Sequence, residues 1–452
     1  MAQKLVVLSD GCWVSPQFRS RNRRVPGNAT LAYQCIAPTT AEGSSQLLYL
    51  HDHEARPPLH RRLMQRTFGL GMKVEIFDSY RFLSRNYRAG EADEIYLLGA
   101  GLGAFNIRRL ADLIDKVGLL PPERLDLLPA AFEYSQIPME AMESPAARAL
   151  ADELPMNKVR IRFLGCWDTV GSHGLPMPGL NHISQSWMMY HDHRVNGNVD
   201  TAFQALALDE RRSRFKPGLW TGVQSEETRK VEQVWFAGSH ENVVGGRRDS
   251  RLSDIALNWM LDRAQDEGLH IDLQKLKEMT IPDIGGRIAM NRRKVAGVPL
   301  PFRKPFNRPF GQTGQISEGG GMEPEKLHET VLARRKADRK YRPRQIANLP
   351  DSDIPVFRER PQESPDKRRY PRHKIDWPAF IIANGAKITV SLVDYSRSGA
   401  KIWLQERLPE GTSLVLQSSR AFSDGLKSRV VWAKDNFLGL EFAAPLSREA
   451  MA

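Results

Sequence analysis

Apolar positions along this chain follow two regimes. Up to about residue 340, dense apolar runs alternate with stretches in which apolar residues recur every three or four positions. Leu5-Val6-Val7-Leu8, Glu94-Ile95-Tyr96-Leu97-Leu98, Val159-Arg160-Ile161-Arg162-Phe163-Leu164 and Val231-Glu232-Gln233-Val234-Trp235-Phe236 have the composition of buried strands, whereas Phe105 to Leu119 and Leu252 to Glu267 have helical spacing. Alternation of this kind predicts an α/β fold with a doubly wound sheet, where functional residues collect in loops beyond the carboxyl ends of the strands. From Trp377 onward the pattern becomes a series of short β-type runs, at 377–382, 388–393, 400–404, 413–416, 427–432 and 437–442, separated by turn residues. Six such strands predict a small all-β barrel.

Between the two regimes the apolar period disappears. Pro350, Pro355, Pro361 and Pro365 punctuate a polar stretch that reads as an extended linker. The predicted organisation is a first domain at 1–343, a linker at 344–367 and a barrel at 368–446.

Composition narrows the class. A chain of 452 residues exceeds one typical core, and 41% hydrophobic with 26% charged residues is globular. No apolar run approaches the length of a membrane-spanning helix, and the run Leu5 to Leu8 meets Asp10 too soon for a secretory signal, so a cytoplasmic protein is expected. The three cysteines, Cys12, Cys35 and Cys166, lack zinc spacing and read as reduced thiols. No metal is expected: His51-Asp52-His53-Glu54 and His191-Asp192-His193 have no matched partner segment, and Asp10 with Asp168 lacks a third ligand. The formal net charge of +12 suggests an anionic partner. Much of the excess lies between Arg292 and Arg372, in segments rich in Pro and Gly.

Two segments carry the chemistry of the second domain. Arg368 and Arg372 stand four apart in Arg368-Arg369-Tyr370-Pro371-Arg372, and planar guanidinium groups fork onto phosphate oxygens and the O6/N7 edge of guanine. Asp394-Tyr395-Ser396-Arg397-Ser398-Gly399 follows, placing a carboxylate and a hydroxyl that can meet base-edge donors. Together with the surrounding strands, these motifs resemble the PilZ domain, the bacterial receptor module for cyclic di-GMP. The resemblance covers 366–446 and implies cyclic di-GMP as ligand, with Arg368, Arg372, Asp394, Ser396 and Gly399 as its binding residues and no cofactor.

In the first domain, strand 94–98 runs into Gly99-Ala100-Gly101-Leu102-Gly103-Ala104 and then a helix. As a dinucleotide fingerprint the segment fails, because Gly118-Leu119-Leu120-Pro121-Pro122 follows the helix where a second strand ending in an acid is needed. As Gly99-x-Gly101-x-Gly103 it has the shape of a nucleophile elbow whose serine is glycine. Asp10-Gly11-Cys12-Trp13, Cys166-Trp167-Asp168-Thr169 and Gly238-Ser239-His240-Glu241-Asn242-Val243-Val244-Gly245-Gly246 accompany it. Residues 3–350 thus resemble the α/β-hydrolase family that includes type VI secretion phospholipase effectors. That resemblance implies serine at the position of Gly101 and aspartate at that of Asn242. In the chain order Ser, Asp, His, the third member is His328, with His240 as the other candidate and Asp168 as an alternative acid; by itself His328 reads as a structural hydrogen-bonding residue. The expected function is cyclic di-GMP signalling in which an inactive hydrolase-like domain serves as a regulatory module for an unidentified protein partner. The alternative is a cyclic di-GMP-regulated esterase or phospholipase drawing its nucleophile from Ser9, Cys12 or Ser172. Nucleic acid is not expected as a partner, although the basic segment keeps that class in view.

Overall fold

The structure is a computed structural model that describes every residue except 1, 12–18, 21–22, 41–42, 52–69, 139–140, 172–193, 225–226, 229, 289–293, 296–297, 300–305, 312–323, 360–372, 384, 396–398, 405–407, 419–421, 435–436 and 444–452. It divides into two compact units, Met1–Glu359 and Arg360–Ala452. The first is built on an eight-stranded sheet of β1 (Lys4–Gly11), β2 (Gln46–His51), β3 (Glu94–Gly101), β4 (Ile161–Trp167), β5 (Val199–Ala207), β6 (Lys230–Phe236), β7 (Lys326–His328) and β8 (Val356–Phe357). Every pairing is parallel, and the order is β8-β7-β6-β5-β4-β3-β1-β2.

Both faces of this sheet are covered, which explains the apolar density of its central strands. Leu5, Val7, Ile95 and Leu97 point into one layer with α2 (Leu70–Asn86) and α3 (Leu102–Val117). Val6, Leu8, Tyr96 and Leu98 point into the other, with α1 (Asn28–Cys35) and α5 (Arg251–Asp266). Such side chains are essentially inaccessible, and each contributes about 1.5–3 kcal/mol through its burial. A further short helix, α4 (His240–Val244), follows β6.

The expected linker differs from the structure over its first half. Residues 344–357 belong to the first unit: Ile346 and Ile354 pack with Leu208, Trp235 and Leu327, and Val356–Phe357 forms edge strand β8 against β7. Two 3-10 turns and a two-residue strand bury isolated apolar residues without any period, so composition alone reads them as linker. Among the described residues no helix is long and apolar enough to cross a membrane.

The second unit is a closed antiparallel barrel. Its strands are β9 (His373–Ala383), β10 (Ala386–Tyr395), β11 (Gly399–Trp403), β12 (Ser413–Ser418), β13 (Phe422–Lys434) and β14 (Phe437–Phe442), in the order β9-β10-β11-β14-β13-β12. Alternate residues such as Ala379, Ile381, Val390, Leu392 and Leu416 fill its interior, as the period-two pattern requires.

Candidate functional site

The parallel sheet brings five strand ends to one edge. β1 ends at Gly11 and β3 at Gly101, directly opposite each other in register. β4 leads into Asp168, β5 ends at Ala207, and β6 leads into Ser239 and His240. The strand order reverses at β1, which has β2 on one side and β3 on the other. In open α/β sheets such a reversal leaves a crevice where ligands bind.

Gly101 makes the turn from β3 into α3 with φ 60° and ψ −113°, a conformation costly for any residue with a side chain. A Cβ built on it would lie 3.1 Å from His240 Nε2 and 3.2 Å from Cε1, with the Gly11 carbonyl oxygen next at 3.8 Å. The side chain missing from the elbow would therefore point at an imidazole nitrogen. This is the mutual placement of nucleophile and base in a hydrolase elbow, without the hydroxyl.

The imidazole is fixed from behind. His240 Nδ1 lies 2.6 Å from Asp168 Oδ2. Asp168 is wholly buried and sits at φ 44°, a left-handed conformation uncommon outside glycine. Its Oδ1 accepts the Ala207 N–H at 2.9 Å, and the Arg308 guanidinium contacts both carboxylate oxygens, Nη1 to Oδ1 and Nη2 to Oδ2 at 3.0 Å. Arg308 is itself buried and also donates to the carbonyls of Ala207 (3.0 Å) and Phe215 (2.7 Å). Burial alone would raise the carboxyl pKa, but the Arg308 charge and the His240 hydrogen bond outweigh it and hold Asp168 well below the usual carboxylate range. An ionised carboxylate only accepts, so the neutral ring carries its proton on Nδ1 and presents Nε2 as an acceptor toward Gly101. The His240 backbone N–H donates to Glu210 Oε2 at 3.1 Å, and the Phe215 ring lies 5.0 Å from the imidazole. Arg212 stacks 3.7 Å over Phe215 and bridges Glu210 and Glu241, so this wall is pinned as well.

The structure does not bring Asn242 or His328 to this centre. Asn242 caps α4: its Oδ1 accepts from the Ser239 backbone N–H at 3.1 Å and its Nδ2 donates to the Arg287 carbonyl at 3.1 Å. His328 is buried at the end of β7 with its ring stacked on Phe236 and Phe357, Nδ1 against Thr330 Oγ1 at 2.8 Å and Nε2 against Glu359 at 3.0 Å. The pair beside Gly101 is instead Asp168 with His240, the two residues that sequence reasoning held as alternatives. Ser9 is buried and donates its hydroxyl to Glu75, while Cys12 and Ser172 lie outside the described residues. Burial pushes the Cys35 and Cys166 thiols up to about 11, which keeps them protonated and weakly nucleophilic. Arg308 was missed altogether. It stands 140 positions from Asp168, in a basic, proline-containing segment that carries no motif.

In the barrel, Arg368, Arg372 and Ser396 lie outside the described residues. Asp394 lies on β10, where its backbone stands opposite Lys374 of β9 and Lys401 of β11, next to an irregularity in the β10–β11 register. Gly399 opens β11 opposite Glu441, and a Cβ there would overlap the Leu440 carbonyl oxygen. Its glycine is thus required by the close approach of β14.

Comparison with known proteins places both units. The family described as T6SS, phospholipase effector Tle1-like, catalytic domain, matches residues 3–263, and the PilZ domain matches residues 366–452. Among solved structures the chain is similar to the Tle1 effector bound to the VgrG spike from the type 6 secretion system, with 13% identity, 63% of this chain and 77% of that chain covered, and a TM-score of 0.38. It is similar also to the PilZ domain of CeSA from a cellulose-synthesizing bacterium, at 14% identity with 18% of this chain and 88% of that chain covered and a TM-score of 0.15. PlzA of Borreliella burgdorferi in complex with c-di-GMP shares 21% identity over 19% of this chain and 39% of that one, with a TM-score of 0.15. An uncharacterized protein of Saccharomyces cerevisiae is 29% identical over 167 residues, 34% of this chain, and the chain spans only 22% of that curated relative.

Proposed function

The chain belongs to the T6SS Tle1-like phospholipase effector family through its first unit, and from that premise we propose that it is a cytoplasmic cyclic di-GMP-binding signalling protein whose hydrolase-like domain lacks serine chemistry. The observation that carries the second half of this reading is Gly101. Asp168 and His240 lie behind the elbow, yet the position facing His240 Nε2 has no hydroxyl to activate. The first half rests on the PilZ barrel and its two motifs. Arg368 and Arg372 fall between β8, the last strand of the first unit, and β9, the first of the barrel. Capture of the dinucleotide by these arginines would alter what the first unit presents to a protein partner. Calorimetric titration of the full-length chain with cyclic di-GMP tests the receptor assignment. Binding is expected, and Arg372→Ala is expected to weaken it at least about tenfold by removing a charge-assisted contact of about 1.5–3 kcal/mol; undiminished affinity in that variant refutes the role of Arg372.

One observation favours a second reading of the first unit. Asp168, Arg308 and His240 form a closed, buried arrangement that leaves Nε2 directed at the elbow, which is the form of a general base. In that reading the domain hydrolyses esters with a nucleophile that is not serine.

A further inference from the structure

We propose that His240 activates a water molecule seated over Gly101, so that the first unit hydrolyses carboxylic esters by direct attack of water, without an acyl-enzyme. The inference rests on the second reading of the site and names its nucleophile. Three features of the centre support it. First, the three atoms nearest to a Cβ placed on Gly101 are two of the His240 ring and, at 3.8 Å, the Gly11 carbonyl oxygen, so the direction a serine side chain would take leads to two polar groups able to hold a water. Second, the base is placed for proton abstraction: with Nδ1–H engaged by Asp168, Nε2 is the acceptor of the ring and faces the Gly101 position. Third, Asp168 retains a left-handed backbone, φ 44°, together with its bond to His240, and strain held by a fully buried carboxylate is characteristic of functional sites.

The reaction balances without any further reagent. As His240 Nε2 takes one proton from the water, the water oxygen bonds to the ester carbonyl carbon. The resulting oxyanion falls at the start of α3, where the Leu102 N–H occupies the place of the donor that follows an elbow nucleophile. The carbon–alkoxide bond then breaks, and the proton on Nε2 passes to the departing alcohol oxygen, leaving a carboxylic acid and an alcohol. His240 is the catalytic residue in this scheme, while Asp168 and Arg308 are positioning residues.

The test uses the full-length chain and p-nitrophenyl butyrate after saturating treatment with a fluorophosphonate, which silences any co-purified serine esterase. Steady hydrolysis that survives the treatment, starts without a burst, and falls about 100-fold in His240→Ala is the expected result. Asp168→Asn, which keeps the shape of the side chain but reverses the tautomer of the ring, should lower kcat by a similar factor while leaving KM unchanged. Equal rates in the parent and both variants overturn the proposal, as does a rate abolished by the fluorophosphonate. Cyclic di-GMP binding measured on the same preparations reports on the barrel separately, so failure here leaves the receptor reading untouched.

Discussion

A serine introduced in place of Gly101 should recover the missing reactivity by a single change. At φ 60° and ψ −113° a side chain costs about 1–3 kcal/mol of backbone strain, so Gly101→Ser should be less stable than the parent by roughly that amount in urea unfolding. Space does not add much to this cost. The atoms nearest to the added Cβ are those of the His240 ring, at 3.1 and 3.2 Å, which must give by a few tenths of an ångström. At Gly99, by contrast, a Cβ would press against the Gly103 backbone at 2.6 Å. From the Cβ of the introduced serine the hydroxyl can reach Nε2, and a positioned general base contributes about 10²–10⁴ in rate. Gly101→Ser should therefore be labelled by a fluorophosphonate probe and show a burst with p-nitrophenyl butyrate, whereas the parent shows neither. Adding His240→Ala should slow labelling at least about 100-fold. Adding Asn242→Asp should bring no gain, since Asn242 Nδ2 donates to the Arg287 carbonyl and an aspartate there loses that bond, at about 0.5–1.5 kcal/mol. A folded Gly101→Ser chain that stays unlabelled, or that labels equally well without His240, would refute the geometry on which this reasoning depends.

Three other outcomes follow from individual residues. Arg368→Ala should weaken cyclic di-GMP binding about tenfold or more in calorimetry, whereas Arg369→Ala, outside the four-residue spacing, should change it little. Gly399→Ala should unfold or loosen the barrel by about 1–3 kcal/mol, because its Cβ would overlap the Leu440 carbonyl on a backbone that cannot move aside, and unchanged amide exchange in β11 and β14 would contradict this. Asp262, on α5, is pushed up to about 6 by burial and by the nearby charge of Glu359. Its folded pKa exceeds its unfolded value of about 3.9, so its stability contribution is full below that value and lost as pH rises through 6; Asp262→Asn should stabilise the chain by about 1–2 kcal/mol at pH 8, allowing for its partial exposure, and by nothing at pH 4.

What could be read in the sequence tracks how local its cause is. β1, β3, β4 and β6 announce themselves because both of their faces are buried, and the six barrel strands do so through their turns. β5 is less legible although it is central, since Thr201 and Gln204 interrupt its apolar run. Both are buried polar residues with internal partners: Gln204 bonds Thr169, Gln233 and the Gly218 carbonyl. β2 is a half-buried edge strand, and its sequence has no strong period to detect. The strand-to-helix turn at Gly101 is a local motif and was legible. Which carboxylate and imidazole would meet beside it was not, because that depends on which loops the strand order sets side by side. His240 and Asn242 are two residues apart in one segment, and only the carboxyl ends of β4 and β6 decide that the first of them meets Asp168. Arg308 is the extreme case: nothing near it in the chain signals a buried guanidinium.

The same interactions explain why a chain can lack the serine and still hold the rest of the centre. At position 101 glycine avoids backbone strain of about 1–3 kcal/mol that a residue with a side chain would carry, so glycine there favours the fold. The other members are bound to one another. Removing Arg308 would leave the buried Asp168 carboxylate without its countercharge, and removing Asp168 would strand a buried guanidinium; breaking such a pair costs about 3–5 kcal/mol. His240 is the exception, because its ring reaches the edge of the crevice and its loss would leave Asp168 still paired with Arg308 and the Ala207 N–H. Stability alone thus accounts for Asp168 and Arg308, whereas removing the imidazole would strand no buried charge. That asymmetry makes His240, rather than the ion pair behind it, the residue whose substitution tests most directly whether the centre has a function.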